Sequence, residues 1–339
     1  MLRILLVTAC VGVCLRSADA ADYPQAEISN GRITAKLYLP DAAKGFYRGT
    51  RFDWSGIIHS LVYRGHDYFG PWFDAMDPKV RDYTYENGRL IAGACSAATG
   101  PAEEFQVMGF DEAKPGGTFL KIGVGALRKD ERPYASFTLF EIADGGKWTV
   151  RRSRGSVEFT HQLSDPASGY GYVYRKTVRL EAGKPVLTLE HSLRNTGKQP
   201  IRGTVYNHNF LTLDKRPTGP DFTLSVPYRI QTTRSPDKEM AEVRDRQIVY
   251  LRTLEDKQVV SVPVEGFGAD PGDHDIRIEN RTLGAGMRIV GDRPLADNRL
   301  WSIRRVLAIE PFIALAVQPG EETSWKWTYE FYTLPAAAR

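Results

Sequence analysis

Polar and apolar residues alternate along most of this chain in short runs, which is the pattern of β-strands with one exposed face. Residues 34–39 show it clearly, and residues 137–142 and 148–151 flank an Asp-Gly-Gly turn that predicts a β-hairpin. Further strands are predicted at residues 156–163, 172–180, 186–195, 201–207, 222–227, 247–251, 259–263, 275–280, 286–290, 313–317 and 324–333.

Helical signals are scarce beyond the N-terminus, because no stretch of about 12 or more residues carries an apolar stripe at helical spacing. The links between predicted strands are short and rich in turn residues. Consecutive strands with such links favour an all-β fold of antiparallel sheets packed face to face. No linker or break in composition divides residues 21–339, so we expect one domain.

The N-terminus has the three-part layout of a secretory signal. A basic start that contains Arg3 precedes an apolar run over residues 4–15, and Ala18-Asp19-Ala20 forms an A-x-A cleavage site. The run is shorter than the roughly 20 residues of a membrane-spanning helix. We therefore expect residues 1–20 to be removed and the chain to be periplasmic or secreted, without stable membrane insertion. An uncleaved anchor, or a lipoprotein acylated at Cys10, is the alternative.

Charge and cysteine content narrow the class of protein. The chain has 45 Lys and Arg against 41 Asp and Glu, for a formal charge of +4, and the two signs are interspersed. Without a basic stripe, nucleic acid is not expected as a partner. Of 3 cysteines, two lie in the predicted signal, so the remaining Cys95 excludes an intramolecular disulfide. The oligomeric state is left open.

His208 is the first candidate for chemistry. It lies at the predicted end of an apolar strand, between Asn207 and Asn209. An imidazole that titrates near neutrality, flanked by two amides, supplies donors and acceptors suited to sugar hydroxyls. Alternatively, the two amides only cap the corner between the strand and the next loop.

Glu310 is the second candidate, because it interrupts the apolar run over residues 306–315. A carboxylate there is costly to bury unless it is paired or used. The alternatives are an edge position or an ion pair with Arg304 or Arg305. No histidine has the spacing of a metal site, and no P-loop or G-x-S-x-G motif occurs, so no metal is expected.

Together these segments resemble those of the aldose 1-epimerase (galactose mutarotase) superfamily. Residues 207–210, Asn-His-Asn-Phe, resemble the motif that carries the family's general acid, and Glu310 with the Pro-Gly-Glu turn at 319–321 resembles the segment of its catalytic glutamate. The resemblance implies a galactose mutarotase-like β-supersandwich of antiparallel sheets that binds a carbohydrate. It also implies that Glu310 accepts the proton of the anomeric hydroxyl while His208 protonates the ring oxygen, with no cofactor.

The chain departs from the family at an N-terminal motif, where Met108 stands in place of a substrate-binding histidine. Glu112 falls where related hexose-phosphate enzymes have an arginine. The residues expected to bind substrate are Asn207, Asn209, Glu112 and Arg305. The last of these would meet an anionic sugar. Two other functions stay open: a non-catalytic carbohydrate-binding protein of the same fold, and an enzyme related to polysaccharide lyases or glycosidases.

Overall fold

The computed structural model describes residues 23–335, which form 25 β-strands and two single-turn 3-10 helices, η1 (Leu213–Lys215) and η2 (Pro271–Asp273). The predicted signal at residues 1–20 lies outside the described residues. The strands are β1 (Gln25–Ser29), β2 (Ile33–Tyr38), β3 (Ile57–Tyr63), β4 (His66–Asp67), β5 (Ala75–Met76), β6 (Tyr83–Glu86), β7 (Arg89–Ala92), β8 (Gly100–Phe105), β9 (Thr118–Lys121), β10 (Gly125–Arg128), β11 (Ile142–Asp144), β12 (Lys147–Arg152), β13 (Ser156–Asp165), β14 (Tyr170–Leu180), β15 (Val186–Asn195), β16 (Ile201–Phe210), β17 (Phe222–Ser225), β18 (Ala241–Arg244), β19 (Gln247–Tyr250), β20 (Val260–Pro263), β21 (Asp275–Asn280), β22 (Ala285–Gly291), β23 (Asp297–Ile303), β24 (Val306–Val317) and β25 (Glu322–Thr333).

The predicted all-β, antiparallel architecture is confirmed. The strands form a ten-stranded sheet, a five-stranded sheet, a four-stranded sheet and two three-stranded sheets. The pairing is antiparallel except between the short strands β5 and β7, which run parallel. Within residues 23–335, no helix combines the length and the apolar character needed to cross a membrane.

The predicted hairpin around the Asp-Gly-Gly turn is wrong. Residues 137–140 form no strand, and the short β11 begins only at Ile142. β11 pairs with β10, whereas β12 pairs with β13, so the turn carries the chain from one sheet to another. Gly146 has a φ of 63°, which suits a turn residue whether or not the flanking strands pair. The local sequence therefore specifies the turn and not the partners of its strands.

The two larger sheets pack against each other over one continuous apolar core. The ten-stranded sheet has the order β12-β13-β14-β15-β25-β22-β21-β17-β19-β18, and the five-stranded sheet has the order β20-β23-β24-β16-β8. Leu189 and Trp327 of the first and Val205 and Ile313 of the second belong to the same buried cluster. One face of the five-stranded sheet is thus covered, and its opposite face is left to form a site.

Charged groups are also buried between these sheets. Lys176, on β14, places Nζ 3.3 Å from Glu103 and 3.6 Å from Asp53, and each of the three side chains is at most 1% exposed. His191 Nε2 lies 2.7 Å from Glu103, and Tyr174 donates to the same carboxylate at 2.8 Å. Burial raises the pKa of Glu103, but His191 and Lys176 outweigh it and hold that pKa at about 2. The buried carboxylate is therefore ionised and compensated.

Replacing Lys176 by Met should lower the free energy of unfolding by about 3–5 kcal/mol, because Asp53 and Glu103 would stay buried without their cation. Urea denaturation at pH 7 measures the change. Lys184→Met is the matched control, since Lys184 pairs with Glu181 at the surface and its loss should cost no more than about 0.5 kcal/mol. Equal losses for the two variants would contradict the buried ion cluster.

Candidate functional site

The register of the five-stranded sheet places His208 opposite Glu310. β16 and β24 are paired from Ile201 with Val317 up to Tyr206 with Phe312, and the same register returns where Leu211 bridges Leu307. Residues 208 and 310 therefore face each other across neighbouring strands. Directly opposite residues of an antiparallel pair lie on the same face of the sheet.

The strands on either side of β16 and β24 place further residues in line with His208 and Glu310. Arg299 of β23 pairs with Glu310, and Ala102 of β8 pairs with His208. Because side chains alternate along a strand, the positions two residues away also share this face. They supply the flanking side chains of the site, namely Asp297, Trp301, Phe210, Tyr206 and Glu104.

His208 and Glu310 are in direct contact. Nε2 of His208 lies 3.1 Å from Oε1 of Glu310, and the two side chains are 6% and 13% exposed. The imidazole stacks on Phe210 with ring centroids 3.8 Å apart, and the edge of Trp301 approaches it at 5.6 Å. The aromatic rings therefore confine the imidazole.

Burial shifts the two pKa values in opposite directions. It raises the pKa of Glu310 to about 7, an increase that Arg51 partly offsets. Burial and the positive charge of Arg51 lower the pKa of His208 well below 6.5. Near neutral pH the imidazole is therefore neutral and Glu310 is close to half ionised. Below about pH 7 the pair carries one titratable proton, which can be passed between Oε1 of Glu310 and Nε2 of His208.

The backbone ladder between β16 and β24 is interrupted beside this pair. Pro311, which would face Asn207, has no N–H to donate. The side chain of Asn209 spans the interruption, because its Nδ2 donates to the carbonyl oxygens of Ile309, at 2.8 Å, and Asn207, at 3.1 Å. Its Oδ1 accepts a hydrogen bond from Tyr329 on the ten-stranded sheet at 2.8 Å. Asn209 thus fixes the two strands where the candidate residues meet.

A second charged group lies next to the pair. Glu104 accepts hydrogen bonds from Arg51 at 2.7 Å, from Lys121 at 3.1 Å and from Tyr206 at 2.5 Å. Burial raises the pKa of Glu104, but Lys121 and Arg51 outweigh it and hold that pKa at about 2. Arg51 also donates to Tyr206 at 3.0 Å, so its guanidinium is fixed in orientation.

His208, Glu310 and Arg51 border a cavity of about 520 Å³, within the range of small-molecule sites. Its charged lining is nearly balanced between three arginines and four carboxylates, and aromatic side chains form part of its wall. The charged groups are Arg51, Arg234, Arg299, Asp82, Glu265, Asp297 and Glu310; the aromatic ones are Trp72, Phe137, Phe210 and Trp301.

The other residues expected to bind substrate lie elsewhere. Asn207 and Asn209 point toward the ten-stranded sheet, because neighbours of His208 on a strand face the opposite side. Glu112 lines a separate cavity beside Tyr170. Arg305 pairs with Asp74 at 2.7 Å in another cavity, so it is not a partner of Glu310. Met108 is 4% exposed within the apolar core.

Several residues of the site were not among the sequence candidates. Asp297, Arg299 and Trp301 alternate along β23 with Asn298 and Leu300, and this alternation next to the Glu310 strand was a usable signal. Arg51 gave only a weak signal, because it enters the site from a loop far from His208 in sequence. Its role follows from the fold, which the local sequence does not reveal.

The fold and the site define an all-β protein with a confined imidazole–carboxylate pair in a small cavity. No family model matches the sequence, and no curated protein matches it significantly. Among solved structures, the chain is similar to the Slr1438 protein from Synechocystis sp. PCC 6803, with a TM-score of 0.53 and 12% identity over 94% of this chain and 99% of that one.

Two further structures align over most of this chain. One is described as a galactose mutarotase related enzyme from Lactobacillus acidophilus, with a TM-score of 0.49 and 12% identity over 93% of this chain and 99% of that one. The other is a galactose mutarotase-like protein from Lactobacillus casei, with a TM-score of 0.47 and 11% identity over 91% of this chain and 100% of that one. The likeness to the Slr1438 protein, at 12% identity, is a likeness of fold.

Replacing Glu310 by Gln should stabilise the protein more at pH 8 than at pH 5. The folded state holds the Glu310 proton up to a pKa of about 7, against 4.5 for an unperturbed group. Raising the pH through this window lowers the free energy of unfolding of the wild type by roughly 3 kcal/mol. The variant has a neutral amide at this position and does not lose this stability. Urea titrations of both proteins at the two pH values measure this difference. Glu190→Gln, at a half-exposed position paired with Arg179, is the matched control; a pH-independent effect of Glu310→Gln would contradict the raised pKa.

Proposed function

We propose that this protein is an aldose 1-epimerase-like enzyme that interconverts the anomers of a sugar by acid–base ring opening. The observation that carries the proposal is the contact of His208 Nε2 with Glu310 Oε1 at 3.1 Å inside a small cavity. Ring opening needs one proton removed from the anomeric hydroxyl and one delivered to the ring oxygen. A pair that holds a single proton can perform both transfers.

In this mechanism the reactive form has Glu310 ionised and His208 protonated. Glu310 accepts the proton of the anomeric hydroxyl, and His208 donates to the ring oxygen as the C1–O5 bond breaks. After rotation about C1–C2, the ring closes on the other face of the carbonyl, and both protons return. No electrons are gained or lost, so the reaction needs no redox cofactor. The proton reaches His208 from Glu310 across the 3.1 Å contact.

The cavity wall supports a carbohydrate as the ligand. Trp301 and Phe137, both half-buried, offer apolar surfaces for the C–H faces of a sugar ring. Arg299 is held by Asp297 through a hydrogen bond of 2.8 Å, and both border the cavity, where they can bond hydroxyl groups. Aromatic surfaces beside fixed polar groups are the composition expected of such a site.

Replacing either member of the pair should slow anomer interconversion by about 10²–10⁴-fold, the usual worth of a general acid or base. Polarimetry or NMR exchange, with a panel of neutral and acidic sugars, would compare wild type with His208→Gln and Glu310→Gln. His59→Gln serves as the control, because His59 lies on β3 and does not line the cavity. Sugar binding without interconversion above the buffer rate would instead indicate a non-catalytic carbohydrate-binding protein.

The rate should fall as the pH rises through about 7. Glu310 holds the proton of the pair below its raised pKa of about 7, and above that value neither group is left to act as an acid. Below pH 7 the rate should be level until His208 also becomes protonated, well below pH 6.5. Initial rates corrected for the buffer reaction from pH 4 to pH 9 give the profile. A rate that rises through pH 7 would mean that Glu310 acts alone as a base.

A further inference from the structure

A second cavity, of about 510 Å³, adjoins the one that contains His208. The indole of Trp72 contributes to the walls of both cavities. It is fixed there by a hydrogen bond from Nε1 to the carbonyl oxygen of Ala98 at 3.0 Å, and it stacks on Phe210. Two spaces that share one rigid aromatic wall can hold two linked units of one ligand.

The charge of this second cavity is strongly one-sided. Lys215, Arg304 and Arg305 line it, and Asp74 is its only acidic residue among those described. Asp74 forms an ion pair with Arg305 at 2.7 Å. Within residues 23–335, no carboxylate lies at ion-pair distance from Lys215 or Arg304. The cavity thus carries two cations without a carboxylate partner, whereas the charges around His208 nearly balance.

Contacts with neighbouring residues fix the guanidinium of Arg304 and the backbone turn that carries Lys215. Arg304 donates from Nη1 to the carbonyl oxygen of Leu254 at 2.8 Å, which fixes its guanidinium. Asp214 and Lys215 both have positive φ, 50° and 55°, a strained conformation for a residue other than glycine. The carboxylate of Asp214 bonds His66 Nδ1 at 2.7 Å and the N–H of Asp67 at 2.8 Å. These two contacts hold the strained turn, and they engage the carboxylate of Asp214 away from Lys215 and Arg304.

We propose that the second cavity is a subsite for an anionic sugar unit linked to the sugar that occupies the His208 cavity. The proposal rests on the proposed function for the location of the first sugar. Lys215 and Arg304 would bind the carboxylate or sulfate of the second unit, and Phe73 would contact its ring. The protein would therefore prefer an acidic oligosaccharide to a free neutral sugar.

Calorimetric titration of the full chain at low salt tests this preference. The probes are digalacturonate, a sulfated galactose disaccharide and neutral digalactose. We expect at least one acidic disaccharide to bind about tenfold more tightly than digalactose, and salt to weaken that binding. The acidic probe that binds tells whether the anion is a carboxylate or a sulfate.

Lys215→Gln and Arg304→Gln should each weaken binding of the acidic probe about five- to tenfold. Neither should change the interconversion rate of neutral galactose, since neither residue lines the His208 cavity. Lys198→Gln, an exposed position outside both cavities, is the control. Equal binding of neutral and acidic disaccharides, or no effect of either variant, would overturn the subsite.

The two proposals can fail separately. Binding of an acidic disaccharide that depends on Lys215, without any interconversion, would support the subsite and refute the enzymatic activity. Interconversion of galactose that depends on Glu310, without preference for acidic disaccharides, would support the activity and refute the subsite.

Discussion

The candidate site depends on how Asn209 spans the interruption between β16 and β24. Pro311 removes a backbone donor from a central strand, and the side chain of Asn209 bonds the carbonyl oxygens of Ile309 and Asn207 instead. Tyr329, from the opposite sheet, donates to Oδ1 of the same amide. The register is therefore kept across the gap, and His208 meets Glu310 at 3.1 Å.

The electrostatics of the site depend on β8, which carries carboxylates toward both of its faces. Glu103 faces the ten-stranded sheet and is compensated by Lys176. Glu104 lies on the face that carries His208 and is compensated by Arg51 and Lys121. The charge of Arg51 partly offsets the effect of burial on the pKa of Glu310, whereas the charge of Glu104 raises that pKa further. A carboxyl with a pKa of about 7 can then lie beside a neutral imidazole.

Alternation allowed most of the strands after residue 146, though not β23, to be predicted, and the sequence singled out His208 and Glu310 but not their neighbours. Alternation located β15 and β21 at their observed bounds. The predicted strand ended at Asn207, which put the amides of Asn207 and Asn209 at a corner. The observed β16 continues to Phe210, so both side chains point to the face opposite His208. The first half of β24 was not predicted because it contains Pro311, and proline normally interrupts a central strand. Arg51 reaches the site through contacts distant in sequence, which no local pattern reports.

The central claim is that His208 and Glu310 share one proton in a buried site. The direct measurement is ¹⁵N NMR of the imidazole nitrogens of His208 between pH 4 and pH 9, in wild type and Glu310→Gln. We expect His208 to stay neutral well below pH 6.5, with a shift of Nε2 near pH 7 that reports ionisation of Glu310 and vanishes in the variant. Titration of His208 near pH 6.5, unchanged by the variant, would contradict the shared proton.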